Sequence, residues 1–282
     1  MSDHNQFQFS SSGHLPGVTL LHADMDDFHY DRHAHEEHAF GITLTGMQEF
    51  FSGGHHHRSH PGQIILFNPE EVHDGNSGGE VPLSYQMLYV PPETLGPLVA
   101  SVSGKTVRHP EQCRFRASDT LLWDEPLRQH LQTLGQMIQR GQGSQIEQEQ
   151  QLLGIAERLA QREGSVAEST QRPRTDRLLR RAKDFIQAHM HEDINLDAIS
   201  AAANLSKYHF LRLFRQQFGI TPHQYVLNCR INAARSALAT GGKLEEVALQ
   251  HGFTDLSHFN RRFKRIYGMT PRQYQSCLQH SA

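Results

Sequence analysis

One pattern of twenty residues occurs twice near the C-terminus, and any fold for this chain has to build the same supersecondary unit two times. Segments 206–225 and 255–274, offset by 49 residues, are identical at 9 of 20 positions. The shared positions are His209/His258, Phe210/Phe259, Arg212/Arg261, Phe214/Phe263, Gly219/Gly268, Thr221/Thr270, Pro222/Pro271, Gln224/Gln273 and Tyr225/Tyr274. Agreement at a fixed period marks an internal duplication. Each copy reads as a helix with its own start and stop. Ser206 and Asp255 suit an N-cap. Phe210, Leu213, Phe214 and Phe218 form an apolar stripe that must be buried, and Phe259, Phe263, Tyr225 and Tyr274 join the same core. Gly219 and Gly268 suit the left-handed residue that ends a helix. Thr221-Pro222 and Thr270-Pro271 then start another, with threonine as cap and proline at the first helical position.

A short helix and a tight turn precede each copy. Asn195 can cap Leu196–Ala203 before the turn Asn204-Leu205, and Leu244–His251 leads into the turn Gly252-Phe253. Ala198, Ala201, Ala202, Ala203 and Ala248 let the paired helices approach closely. Short helix, tight turn and longer helix with a basic face describe a helix-turn-helix, expected at about 196–218 and 244–267. The stretch from Pro222 to Ala239 reads as one helix of about 27 Å. As a rigid spacer it could set two recognition helices about one DNA turn, roughly 34 Å, apart. Charge agrees: residues 174–282 hold 16 Lys and Arg against 8 Asp and Glu, whereas residues 1–173 hold 11 against 22. A basic half joined to an acidic half points to a polyanion on one side only; a dimer held by opposite charges is the other reading.

These residues carry a resemblance. Segment 174–282, above all Phe259–Tyr274, resembles the DNA-binding domain of the AraC family of bacterial regulators. The resemblance implies double-stranded promoter or operator DNA as partner, with RNA polymerase a further one. Base-edge contacts would fall on Lys207, Tyr208, Leu211 and Arg212 in the first unit and on Leu256, Ser257, Asn260 and Arg261 in the second. Arginine can donate twice to guanine and asparagine can pair with adenine, while leucine packs on a thymine methyl or fills space. Arg215, Lys264 and Arg265 would contact phosphates, which position without specifying.

The first half has a different rhythm. From about 18 to 92, short apolar runs such as Ile42-Thr43-Leu44 and Ile64–Phe67 alternate with Gly, Pro and Asn clusters, as in an all-β barrel or sandwich. Residues 1–14 are polar and are expected to fray. Leu127, Leu131, Leu134 and Ile138, then Ile146, Leu153 and Leu159, have helical spacing and predict two amphipathic helices, on the barrel or as a dimer face. Residues 164–175 form the expected linker, between a domain 1–163 and a domain 176–282. The fold expected is thus α+β in two domains: a β-barrel with two following helices, then an all-α tandem helix-turn-helix.

Fourteen of the 21 histidines lie before residue 174. The order His33-x-His35, Gly46, Pro61-Gly62, Pro69-x-x-x-His73 resembles the cupin-type barrel that many AraC-family regulators use as a sensor. That implies an organic effector near His33, His35, Phe40 and His73. Metal-binding cupins hold a divalent ion with such histidines and a glutamate. Here Ala39 and Phe40 stand where the glutamate is expected, so a metal set would be His33, His35, Glu37 and His73, with residues 33, 35 and 37 on one strand face. His55-His56-His57 with His60 reads as a solvated hairpin loop.

No apolar run approaches the roughly 20 residues of a membrane span, no secretory signal opens the chain, and three scattered cysteines make neither a disulfide framework nor a zinc finger. A cytoplasmic setting fits. Three functions remain: a small-molecule-controlled, homodimeric transcription regulator with no resident cofactor; a metal-dependent cupin enzyme fused to a helical nucleic-acid-binding domain; and a partner-binding protein whose basic half docks acidic protein. The first is the reading adopted, because no nucleophile–base pair is visible for the second and the helix spacing is not required by the third.

Overall fold

The computed structural model describes residues 5–103, 113–163 and 174–279. They form two compact units that change over between residues 169 and 170. No helix among the described residues is long and apolar enough to cross a membrane.

The first unit is built on two antiparallel sheets. One has six strands in the order β1 (Gln6–Ser11), β2 (Thr19–Met25), β9 (Leu83–Val90), β4 (His38–Thr45), β7 (Ile64–Phe67), β10 (Leu121–Leu122). The other has four: β3 (His29–His33), β8 (His73–Ser77), β5 (Gln48–Ser52), β6 (His55–Ser59). They face one another, as the Phe50–Phe67 ring contact at 5.3 Å and the Thr43–Ser59 hydroxyl hydrogen bond at 2.7 Å show. The outer face of the larger sheet lies under α1 (Pro92–Val102), α2 (Glu125–Arg140) and α3 (Gln145–Glu163). Phe40, Ile42, Ile64, Leu66, Leu88 and Val90 meet Leu127, Leu131, Leu134, Ile155 and Leu159 there in one buried cluster. The two expected helices therefore pack on their own sheet.

Four local expectations are corrected. Residues 6–11 do not fray: β1 pairs along its length with β2, and Phe9 is buried. The histidine run is not a loop. Gly53 and Gly54, both at positive φ, make the hairpin turn, and His55–Ser59 is an edge strand paired with β5. Helix α1 was not signalled, because Gly96 and Pro97 interrupt its pattern. Arg174 and Thr175 begin a helix, while 164–173 of the expected linker lie outside the described residues.

Strand β4 starts with a buried imidazole. His38 lies between the rings of Phe40 and Phe115, at 6.2 and 5.5 Å. Burial, helped by the charge of Arg116, pushes its pKa down to about 4. The unfolded chain takes up this proton near pH 6.5 and the folded chain does not until about 4, so stability is full above 6.5 and falls as pH drops through that window. The loss amounts to roughly 3 kcal/mol at 1.36 kcal/mol per pKa unit. Urea unfolding at pH 7 and pH 4 should show wild type losing about that much more than His38→Leu; equal losses would contradict the assignment.

The second unit is helical: α4 (Arg174–His189), α5 (Leu196–Ala202), α6 (Lys207–Phe218), α7 (Pro222–Ala239), α8 (Leu244–Gln250), α9 (Leu256–Tyr267) and α10 (Pro271–Gln279). Phe210, Phe214, Phe259 and Phe263 are fully buried, and Tyr225 and Tyr274 nearly so. Gly219 and Gly268 end α6 and α9 in the left-handed region, at φ 71° and 78°. Thr221 and Gln224 form a reciprocal capping box, and Thr270 with Gln273 repeats it. The repeated Thr-Pro-x-Gln is therefore a helix-start device with both orphan amides satisfied. The caps of the preceding helices differ: Asp255 accepts from the His258 amide at 2.6 Å, whereas Ser206 sits at the cap position without a side-chain bond.

Candidate functional site

The helical unit presents two cationic helix faces. Burying Phe210 and Phe214 turns Lys207, Tyr208, Arg212 and Arg215 of α6 outward, with Leu211 half-buried. Tyr208 is 88% exposed, unusual for a side chain with so much apolar area unless the surface serves binding. On α9, Ser257, Arg261, Lys264 and Arg265 are exposed, and Leu256 and Asn260 are half-buried. Each group of nominated DNA contacts thus lies on one helix. Lys207 is engaged: its Nζ meets Asp197 Oδ1 on α5 at 2.7 Å. Both partners are exposed, so the pair is weak and a phosphate could displace it.

The scaffold behind these faces contains residues the sequence reading passed over. Tyr267 donates to Asn232 Oδ1 at 2.7 Å in a buried bond between α9 and α7. The Arg230 guanidinium on α7 donates to the carbonyls of Met190, Glu192 and Gly252 at 2.6, 2.8 and 3.0 Å. It ties the α4–α5 connection to the turn of the second helix-turn-helix. Nothing in the pattern distinguished Arg230 from a surface arginine; its place on a helix with mostly buried positions was the available signal. At the start of α9, burial and then Arg262 hold the His258 imidazole below its ordinary value, against the pull of Asp255.

The β unit brings together three of the four nominated metal donors. His33, His35 and His73 are all buried, and one ring nitrogen of each lies within 4.8 Å of the other two. His33 ends β3 and His73 begins β8, its neighbour in the sheet. Glu37 is not among them. The strand stops at His33 and the chain bends at 36–37 before β4, so the expected period of two does not extend to Glu37. Phe40 also departs from expectation. It faces the helical layer in the core cluster, whereas its neighbour Ala39 pairs with Tyr89 and Phe67. The side chains around the histidines are aromatic instead: Phe67 stacks on His73 at 3.7 Å, Tyr89 meets His35 edge-on at 5.0 Å, and Phe50 meets Phe67.

The loop before β8 is built to hold His73. Asn68 accepts from the Ala117 amide at 2.7 Å and donates to its carbonyl at 3.1 Å and to Glu71 at 2.8 Å. Glu71 also accepts from Ser52 at 2.7 Å. Glu70 sits at φ 63°, an uncommon conformation for a non-glycine residue, and its amide donates to the His35 carbonyl at 2.7 Å. The cupin-type resemblance implies a divalent metal in such a barrel. Three buried imidazoles converging on one point fit a borderline ion such as zinc, which prefers nitrogen and sulfur donors.

A double-sheet domain with a buried ligand-type cluster, joined to paired helix-turn-helix units with basic outer faces, defines a DNA-binding transcriptional regulator with a ligand-binding domain. The chain belongs to the AraC family: residues 15–156 match the AraC-like ligand binding domain, and residues 199–276 match a helix-turn-helix domain. It is 28% identical over 229 residues to the HTH-type transcriptional regulator YbfI of Bacillus subtilis, covering 81% of each chain. It is also 28% identical over 245 residues to the arabinose operon regulatory protein of Escherichia coli K12, covering 82% of this chain and 78% of that one. Among solved structures, apo ToxT of Vibrio cholerae strain SCE256 shares the fold at 13% identity, with a TM-score of 0.63 over 95% of this chain and 99% of that one.

Proposed function

We propose that the protein reads two successive major grooves of one operator, α6 in one and α9 in the next, and that a small molecule bound in the β unit controls that binding. The observation that carries the reading is the pair of exposed cationic faces on α6 and α9, joined by the 18-residue helix α7. Lys207, Tyr208, Leu211 and Arg212, with Leu256, Ser257, Asn260 and Arg261, then contact base edges. Arg215, Lys264 and Arg265 contact phosphates. The protein acts as a cytoplasmic, non-enzymatic regulator, with RNA polymerase as its further partner at the promoter. It works as a homodimer through 124–162, where Ile146 and Leu153 keep exposed apolar side chains on α3.

An effector is supported by the ligand-binding domain of the family and by the structure of ToxT with an unsaturated fatty acid bound. The place for it is the cluster of His33, His35 and His73, lined by Phe50, Phe67 and Tyr89 rather than by Phe40. Control requires that the effector bind one arrangement of the protein more tightly than another. Selection of duplexes from a random pool by the full chain at physiological salt tests the groove reading. Two preferred blocks centred about one helical turn apart are expected. Enrichment of no motif, with binding that vanishes as salt rises, would mark nonspecific phosphate binding instead.

A further inference from the structure

We infer that His33, His35 and His73 bind one divalent transition-metal ion, of the zinc, copper, nickel or cobalt class, with no carboxylate ligand from the protein. The inference is independent of the DNA reading, since occupancy can be measured without an operator.

Two of the three rings are already oriented for the task. His33 Nδ1 lies 2.6 Å from the Asp31 carbonyl, and His73 Nδ1 lies 2.8 Å from the Glu71 carbonyl. A carbonyl can only accept, so the proton sits on Nδ1 in both rings. Nε2 of each is then a bare lone pair. Metal-bound histidines have this arrangement, the far nitrogen donating to a backbone carbonyl and fixing the tautomer. The two bonds repeat one local device, a ring reaching back to the carbonyl two residues earlier, on adjacent strands of one sheet.

Burial sharpens the argument. The three residues are 4, 5 and 5% exposed, and imidazole lone pairs brought together out of water repel unless a cation lies between them. Around zinc, at about 2.0–2.1 Å per bond, tetrahedral ligand atoms stand roughly 3.3 Å apart. Ring nitrogens within 4.8 Å therefore need only small inward movements. Neighbouring backbone supports the site: the strained Glu70 ties its amide to the His35 carbonyl, and Asn68 and Glu71 fix the loop that ends at His73. Strain of this kind persists where the surroundings over-determine it, commonly at binding sites.

Donor chemistry sets the class of ion. Three neutral nitrogens suit zinc, copper, nickel or cobalt, and offer nothing to magnesium or calcium, which need oxygen. With no protein carboxylate the ion keeps its full double charge, and at least one position stays open for water or an oxygen-donor ligand.

The test uses the full chain, freed of metal by a chelator, in a background with His55, His56 and His57 changed to glutamine so that the exposed run on β6 cannot answer. Titration with cobalt(II) should give visible d–d bands that saturate at one equivalent and vanish on addition of zinc. His73→Gln and His35→Gln should each weaken binding at least tenfold, with circular dichroism reporting whether the fold is kept. Copper(II) loaded into the background protein gives a readout that needs no ligand variant: its electron paramagnetic resonance spectrum should show coupling to three nitrogens. Absence of a saturable cobalt band, or copper coupling to fewer than three nitrogens, would overturn the inference. So would cobalt affinity unchanged in a folded His73→Gln protein.

Discussion

Arg261→Ala lowers affinity for the selected operator by about 1–3 kcal/mol, roughly five- to 150-fold, and relaxes the preference at one base pair of the α9 block. The reasoning begins with the repeat. Arg212 and Arg261 are identical in the duplication and exposed on their helices. Both sit two residues after a buried phenylalanine, Phe210 or Phe259, which fixes the side each arginine faces. A guanidinium that donates to both acceptors of a guanine leaves them unpaired when truncated. Lys264→Ala should behave differently. A phosphate contact carries no sequence information, so its loss weakens all duplexes alike and reduces the slope of log K against log salt by about 1. Binding isotherms for both variants on the operator and on base-substituted operators, at three salt concentrations, separate the two roles. Uniform weakening in Arg261→Ala would remove it from the base-reading set.

The helical half was legible because its signals are local. Caps, stops and stripes sit within a few residues of one another, and the duplication supplies each signal twice. Asn195, Asp255, Thr221 and Thr270 all cap as their sequence positions suggest. What escaped there was long-range: nothing near Arg230 in sequence announces three carbonyls from two distant turns. The β unit was legible as a class and blurred in detail, for a reason visible in β4. Ala39, Phe40, Gly41 and Ile42 are all buried, because the larger sheet is covered on both faces. A strand buried on both sides loses the alternation that tells inside from outside. Phe40 was therefore placed with the histidines, although it faces the helices. Glu37 was misjudged by extending a strand period through a bend. The polar β1 and the histidine-rich β6 were missed because both lie at sheet edges, where exposed composition imitates a loop.

Asp124→Ala should destabilise the β unit by roughly 2–4 kcal/mol. Asp124 is the N-cap of α2, accepting from the Leu127 amide at 3.0 Å, and its side chain is only 1% exposed. The same carboxylate meets Arg158 at 2.8 Å and Arg162 at 3.4 Å, so it pins the start of α2 to the last turns of α3. Burial by itself would raise its pKa; the Arg158 hydrogen bond, the Leu127 amide and the two guanidinium charges outweigh that and hold it below the usual carboxylate value. Loss of the cap costs about 1 kcal/mol. Removing one partner of a buried pair costs about 3–5 kcal/mol when the other charge is left dry. Arg158 and Arg162 are 32 and 30% exposed and regain water, which moves the expectation below that range. The contribution is complete above the ordinary carboxylate pKa and disappears as pH falls through the lowered folded value. Asp124→Asn keeps a cap acceptor and loses the charge, and should fall between wild type and alanine. Urea unfolding of wild type, both variants and Arg158→Met, alone and combined with Asp124→Ala, gives the coupling directly. Additive losses in the double variant would show that the cap alone carries the effect.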